Sequence, residues 1–379
     1  MSFGPRASRR ALRVTIVGLL GCSAPDTQRT TAPTPPVTPV IADALVAAVD
    51  ADAVAVAVEP DAGPTTPPSD EVWLRGTTHV HAKPSGDSVA PVPDVIRWYE
   101  RHRYDFIVLT DHNRVTPVAS TPQLIVIPGI ELTHNRKGCE PAGDDSGNCR
   151  IHVNALGVTG QPADKLEWTD YSEKQRVALY QKAFATARQL GASVVQINHP
   201  QYYWGMTTDV LFAIGKDAQL VEIANQQFNK WNAGDAGHLS TEALWDAALA
   251  KGIPIWGVAT DDAHDYQDDG GGKYPAGGGW VMVKARRDPP AILAALAAGR
   301  FYSSTGVTLS RAERSGDELV VEVAPGTPNQ HTIAFIENGK TVVTVNGLSA
   351  KRAVPRTGYV RAVVTRDDGK QAWVQPVRL

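Results

Sequence analysis

The sequence predicts an α/β unit over residues 71–308 followed by a small all-β sandwich over residues 309–379. Three observations carry that reading. From Glu71 onward, short apolar runs rich in β-branched residues alternate with helix-like segments, the pattern of parallel-sheet construction. Gly191, Gly252 and Gly299 stand just past three of the helix-like segments, where a helix is expected to stop. Beyond about residue 308 the helix-like segments cease and runs such as Glu318-Leu319-Val320-Val321-Glu322-Val323 take over.

In chain order, the strand-like runs are 72–74, 106–109, 124–127, 153–156, 194–197, 220–223, 253–256 and 280–283. Helices are expected at roughly 93–103, 172–190, 241–251 and 289–298. In the closing unit, Asn338-Gly339 and Asp368-Gly369 are hairpin signals, because tight hairpin turns need residues that accept positive φ. That unit carries no motif suggesting catalysis.

The first 70 residues read as an address and a spacer. Arg6, Arg9, Arg10 and Arg13 precede a short apolar run at 14–21 and then Cys22. The run is too short to span a bilayer, which takes about 20 residues, and it has the layout of a secretory signal. Leu19-Leu20-Gly21-Cys22 resembles a bacterial lipobox, so residues 1–22 are expected to be a lipoprotein leader with Cys22 lipidated and the protein exported to the periplasm or outer membrane. Residues 23–70 are rich in Pro, Ala and Thr and contain no Phe, Tyr, Trp or Lys, so they read as a flexible tether.

Composition narrows the function. The 379 residues carry 37 Lys+Arg against 40 Asp+Glu, a net charge of -3, and loss of residues 1–21 with their four arginines takes it to -7. No nucleic-acid partner is expected from so weak a cationic field. Three cysteines exclude a disulfide-dense scaffold and a four-thiolate zinc site. Cys139 and Cys149, ten apart in a glycine-rich stretch of an exported protein, are expected to form a disulfide.

The chemistry-bearing residues stand where strands end. His79 and His81 follow the first strand, Asp111 and His112 the second, Glu131 the third, His199 the run at 194–197, and Asp262 and His264 the run near 253–258. At the carboxyl ends of strands in an α/β barrel, residues far apart in sequence converge on one face. His79-Val80-His81 alone is a modest signal, although two strand residues spaced by two point the same way and can share one ion. The set is stronger: Thr110-Asp111-His112, Glu131, His152, Asn198-His199-Pro200 and Asp262-Ala263-His264 follow in order.

These motifs resemble the polymerase-and-histidinol-phosphatase (PHP) superfamily of metal-dependent phosphoesterases, over about residues 71–308. The resemblance implies a distorted seven-stranded (β/α) barrel with two or three divalent ions. It implies one ion on His79, His81, Glu131 and Asp262, with Glu131 bridging to a second on His152 and His199. A third would take Asp87, His112 and His264. Here the chain departs from the family's usual Ser-Asp-Gly, reading Ser85-Gly86-Asp87-Ser88. Gly-Arg-Phe-Tyr-Ser-Ser-Thr-Gly at 299–306 and Gln-Ala-Trp-Val-Gln-Pro at 371–376 resemble an exported branch that includes carbaryl hydrolase-like enzymes.

Imidazole and carboxylate ligands without thiolate suit Zn, Mn or Fe better than Ca or Mg. Such ions acidify a shared water, so a metal-bridging hydroxide is the expected nucleophile, with Asp262, Glu131 and His264 carrying catalysis through it. The expected substrate is a small-molecule ester, foremost an anionic phosphoester. The same metals also suit an amide or carbamate ester, and a degenerate, metal-binding surface lipoprotein is the non-catalytic alternative. Arg114 is a candidate phosphate clamp, Tyr202 and Trp204 candidates for a leaving-group pocket, and Asp111 a candidate for orienting a ligand. His102, His238 and His331 stand away from the motifs and read as surface histidines.

Overall fold

Strand β1 (Val72–Val80) enters the core immediately, with everything from Gly76 onward buried. The computed structural model describes residues 70–162, 164–326 and 330–379. The expected leader, Cys22 and all but the last residue of the tether therefore lie outside the described residues. After β1 come α1 (Val92–Arg101), β2 (Phe106–Leu109), β3 (Ile125–Lys137), β4 (Asn148–Leu156), α2 (Arg176–Gln189), β5 (Val194–Ile197), α3 (Thr208–Ile214), β6 (Leu220–Asn225), α4 (Asn229–Asn232), α5 (Thr241–Ala250) and β7 (Trp256–Thr260). Then follow β8 (Trp280–Ala285), α6 (Pro289–Ala297), β9 (Phe301–Ser304), β10 (Leu309–Ser315), β11 (Glu318–Val323), β12 (His331–Glu337), β13 (Lys340–Asn346), β14 (Ser349–Ala353), β15 (Val360–Arg366) and β16 (Gln371–Val377).

The architecture is mixed α/β, with a large 13-stranded sheet and a small antiparallel sheet of β10, β11 and β14. Strands β1 to β7 lie side by side in chain order. Past β7, Ala263 bridges back to Val80 in parallel, and the His81 amide donates to the Ala263 carbonyl at 3.0 Å. The two ends of this seven-strand run therefore meet beside the histidines.

Parallel pairing joins β1, β2 and β3, and again β5, β6 and β7. It fails at β4, which is antiparallel to both neighbours. The reason is the connection: β3 and β4 are joined by a hairpin loop at 138–147 and not by a helix, and only a hairpin can join neighbours that run oppositely so directly. Cys139 and Cys149 are bonded at the base of that loop. The apolar run at 253–256 also differs from expectation, since Pro254 cannot donate to a ladder and the strand starts only at Trp256.

Local chemistry sets the helix starts. Ser240, Asp288 and Thr207 accept hydrogen bonds from the first turns of α5, α6 and α3, closing amides that would otherwise lack partners. Apolar faces of the helices pack on the sheet, as where Ile292 and Leu296 of α6 meet Leu74, Val281 and Val283. Each such side chain contributes about 1.5–3 kcal/mol by leaving water. Gly76 is a point of close approach: a Cβ there would lie 2.3 Å from the ring of Phe106.

The closing β unit is stitched to the strand run. In the β12–β13 hairpin, Asn338 and Gly339 have φ of 48° and 79°, as the turn signal requires. His331, at the start of β12, is buried and not a surface residue, because its side faces the sandwich interior. Arg361 of β15, also buried, reaches Asp246 of α5 with both Nε (2.7 Å) and Nη2 (2.6 Å) and Glu242 at 3.1 Å. The two segments at 299–306 and 371–376 turn out to be neighbours, with β9 antiparallel to β16.

Their polar residues serve one backbone position. Gln375 donates to the Gly257 carbonyl at 2.8 Å and accepts from its amide at 3.0 Å, and Ser303 donates to the same carbonyl at 2.8 Å. A side-chain amide thus stands in for a neighbouring strand at β7. Gln375→Leu is expected to lower unfolding free energy by about 2–4 kcal/mol, since it strands a buried amide and weakens a carbonyl. Denaturant unfolding measures this; a change below about 0.5 kcal/mol would refute the role.

Candidate metal centre

His79 and His81 lie at the carboxyl end of β1 with no exposed surface and ring centroids 5.0 Å apart. Their outer nitrogens are fixed: His79 Nδ1 meets Glu222 Oε1 at 2.7 Å, and His81 Nδ1 meets Ser85 Oγ at 3.0 Å. This leaves both Nε2 atoms aimed inward, where they lie 3.1 and 3.2 Å from Asp262 Oδ1.

Glu131 enters from β3 because His112 and Glu131 bridge in parallel, with the Asn113 amide donating to the Glu131 carbonyl at 2.8 Å. Its carboxylate faces His112 Nδ1 at 2.6 Å, His152 Nδ1 at 2.9 Å, His79 Nε2 at 3.4 Å, His81 Nε2 at 3.5 Å and His199 Nε2 at 3.7 Å. Asp87 arrives from the loop after β1, and its Oδ2 lies 2.9 Å from His112 Nε2 and 3.2 Å from His264 Nε2. Three sets of ligand atoms come together: His81, Asp87, His112 and His264; His79, Glu131 and His199; and His79, His81 and Asp262. His152 joins none of these sets; it turns Nε2 to Asn135 Oδ1 at 2.8 Å.

The backbone is strained where the ligands sit. His199 and Asp262 have φ of 22° and 49°, which non-glycine residues adopt at about 1–3 kcal/mol each. Glu222 helps hold this geometry. Wholly buried on β6, it accepts from the His199 amide at 2.6 Å, Thr260 Oγ1 at 2.8 Å, Asn225 Nδ2 at 2.9 Å and Gln196 Nε2 at 3.2 Å, besides His79. The motifs did not point to Glu222; the signal was an acid inside the apolar run Leu220-Val221-Glu222-Ile223. Asp111 holds the chain next to His81, accepting from the Ala82 amide at 2.7 Å.

A cavity of about 230 Å³ opens on the cluster, and besides the ligand residues it is lined by Asn135, Arg150, Tyr202, Phe228 and Tyr274. Of the candidate substrate contacts, Tyr202 lines this cavity, whereas Arg114 lines a separate hollow with Pro84 and Gln161, and Trp204 stacks on His238 at 4.3 Å. Arg150, from the antiparallel β4, also lines the cavity and brings a cation to it.

The site fits metal ions on its own geometry. His79 Nε2, His81 Nε2 and Glu131 Oε2 are buried and, although Asp262 and His112 lie close by, make no well-aligned hydrogen bond, an arrangement that costs free energy unless something else engages them. Protons and metals compete for these atoms. Burial resists charge on His79 and His112, yet Asp262, Glu222 and Glu131 raise the first well above an ordinary imidazole, and Glu131 and Asp87 raise the second to about 10. Burial likewise opposes, and Asp87 and Asp262 overcome, a rise at His264. By contrast, burial and neighbouring His264 push His81 down to about 3, and burial takes His152 to about 4. Burial opposes ionisation of Glu131 and Asp262, but the surrounding histidines, His112 and His79 foremost, hold both well below the usual carboxylate range.

The sign of the pH effect follows. At neutral pH the metal-free site favours protons on His79 and His112, and the same neighbours favour one on His264, so an incoming ion must displace those on the nitrogens it takes. Metal affinity should therefore rise between about pH 6 and 8, by roughly tenfold per unit for each proton released. Calorimetric titration in buffers of different ionisation enthalpy counts those protons; an affinity independent of pH would contradict this.

No protein-family model and no curated protein matches the chain. Among solved structures it is similar to a two-domain protein from Bacteroides vulgatus described as containing a predicted PHP-like metal-dependent phosphoesterase, at 19% identity over 81% of this chain and 96% of that one, with a TM-score of 0.43.

Proposed function

We propose that the chain is a metal-dependent hydrolase of the PHP type that cleaves small phosphoesters. The observation that carries this reading is the convergence of buried imidazole nitrogens and carboxylates, among which His79 Nε2, His81 Nε2 and Glu131 Oε2 make no well-aligned hydrogen bond. The reading extends to a closed, distorted seven-stranded barrel, which the Val80–Ala263 bridge supports, and to two or three ions of Zn, Mn or Fe, which the thiolate-free donor set suits. Bound ions would supply Lewis acidity and acidify water.

The chain's own residues do the rest. Glu222 and Ser85 fix which nitrogens of His79 and His81 face the centre. Glu131 offers its two oxygens to opposite sides of the cluster. Arg150 faces the same cavity and can hold an anionic oxygen. The small cavity favours a compact reacting group.

The test is a hydrolysis panel of phosphomonoesters, phosphodiesters and carbamate esters, run on the chain freed of metal and again after reconstitution. Metal-dependent turnover of a phosphoester is expected. Turnover of carbamate alone would move the reading to the carbamate branch, and none at all to a binding protein. We also propose export as a lipoprotein anchored through Cys22: Cys22→Ser should free the protein from membranes, and retention there would refute the anchor.

A further inference from the structure

Two rings of the cavity wall touch a metal-site histidine directly. His199 lies 4.5 Å from Phe228 and 5.5 Å from Tyr202, centroid to centroid, and Tyr202 and Phe228 meet at 4.4 Å. Trp231 backs Tyr202 at 5.1 Å. Tyr202 comes from the turn after β5 and Phe228 from the turn after β6, so two separate segments build one wall.

That wall is held in advance of any ligand. Tyr203 and Trp204 have φ of 53° and 55°, so the segment that carries Tyr202 is strained on the same scale as the ligands. It is braced by the disulfide-closed loop: a Cβ at Gly143 would lie 2.1 Å from the Tyr203 carbonyl oxygen. Buried Arg176 clamps that loop, donating from Nε to the Pro141 carbonyl at 2.6 Å and from Nη2 to that of Asn148 at 3.3 Å. A prepared aromatic face binds a flat group without the cost of ordering side chains.

The geometry points to a substrate class: phosphoesters whose leaving group is a planar aromatic ring seated against Tyr202 and Phe228. The inference rests on the phosphoesterase reading above. The ring belongs to the leaving group and not to a remote part of the substrate, because the wall contacts His199 itself and a ring joined to phosphorus through a single oxygen reaches there. Hydrolysis breaks the bond between phosphorus and the aryl oxygen; water supplies the replacing oxygen, and the phenol leaves with one of its protons. No oxidant or further reactant is needed.

The experiment is binding of two inert dianions, phenylphosphonate and methylphosphonate, to the metal-reconstituted full chain by calorimetry. Phenylphosphonate is expected to bind about 10- to 100-fold more tightly, from ring burial and aromatic contact. In Tyr202→Ala that preference should shrink to under about threefold, and in the gentler Phe228→Leu it should shrink at least severalfold, with metal content measured alongside. Equal binding of the two by the unmodified chain would overturn the aromatic subsite while leaving the phosphoesterase reading intact. Binding of neither would overturn both. A preference that survives both substitutions in folded, metal-loaded protein would also overturn it.

Discussion

Replacing Glu131 by Gln should abolish the metal centre with almost no change in shape. The carboxylate stands within 2.6–3.7 Å of ring nitrogens from five histidines, His79, His81, His112, His152 and His199. It is wholly buried, and His112, His152 and His79 foremost supply the positive charge that favours it. Gln removes the negative charge and offers one acceptor where two were needed. Its amide hydrogens would face imidazole nitrogens that a metal requires. We expect metal affinity to fall by more than about 100-fold and kcat/KM by about 1000-fold or more, beyond the 10–100-fold usual for residues one step removed. Elemental analysis and steady-state kinetics check both; a variant that keeps its metal and more than about a tenth of its activity would contradict the bridging position.

The second large effect is at Glu222, which touches no substrate. Five donors meet its two oxygens: His79 Nδ1, the His199 amide, Thr260, Asn225 and Gln196. Burial opposes its ionisation, yet His79 beside it holds the carboxyl below the usual range, so it is a carboxylate at neutral pH. In Glu222→Gln one oxygen becomes an NH2 group, and a donor then faces a donor. Either His79 loses the partner that directs Nε2 inward or His199 loses the bond that supports its φ of 22°. Metal affinity should drop about 10- to 100-fold, with turnover recovering at saturating metal. That recovery separates a positioning residue from a ligand: Glu131→Gln should not be rescued, whereas Glu222→Gln should.

Much of this site is legible in the amino-acid sequence, and for a specific reason. In α/β construction the chemistry sits just past the strands, so His79, His81, His112, Glu131, His199, Asp262 and His264 stood out by their place after apolar runs. Asp87 required the spacing of a loop and still arrived between His112 and His264. What stayed hidden depended on pairing partners distant in sequence. The reversal of β4 could not be seen in its apolar pattern, because a buried strand looks alike in either direction, and with it went the cavity-facing placement of Arg150. Phe228 and Tyr274 come from turns whose path follows from packing. Gln375 lies in the segment 371–376, which resembles an exported branch of the PHP superfamily, yet its contact is with the backbone of Gly257.

The central claim is that these side chains form one multinuclear metal centre. Its most direct test is the number of metal ions per chain after the full-length protein is stripped, reconstituted with Zn, Mn or Fe and freed of excess, measured by elemental analysis beside Glu131→Gln. The arrangement of ligands predicts two or three ions in the natural chain and fewer than one in the variant. Fewer than one ion in the natural chain, or equal content in the two, would contradict it.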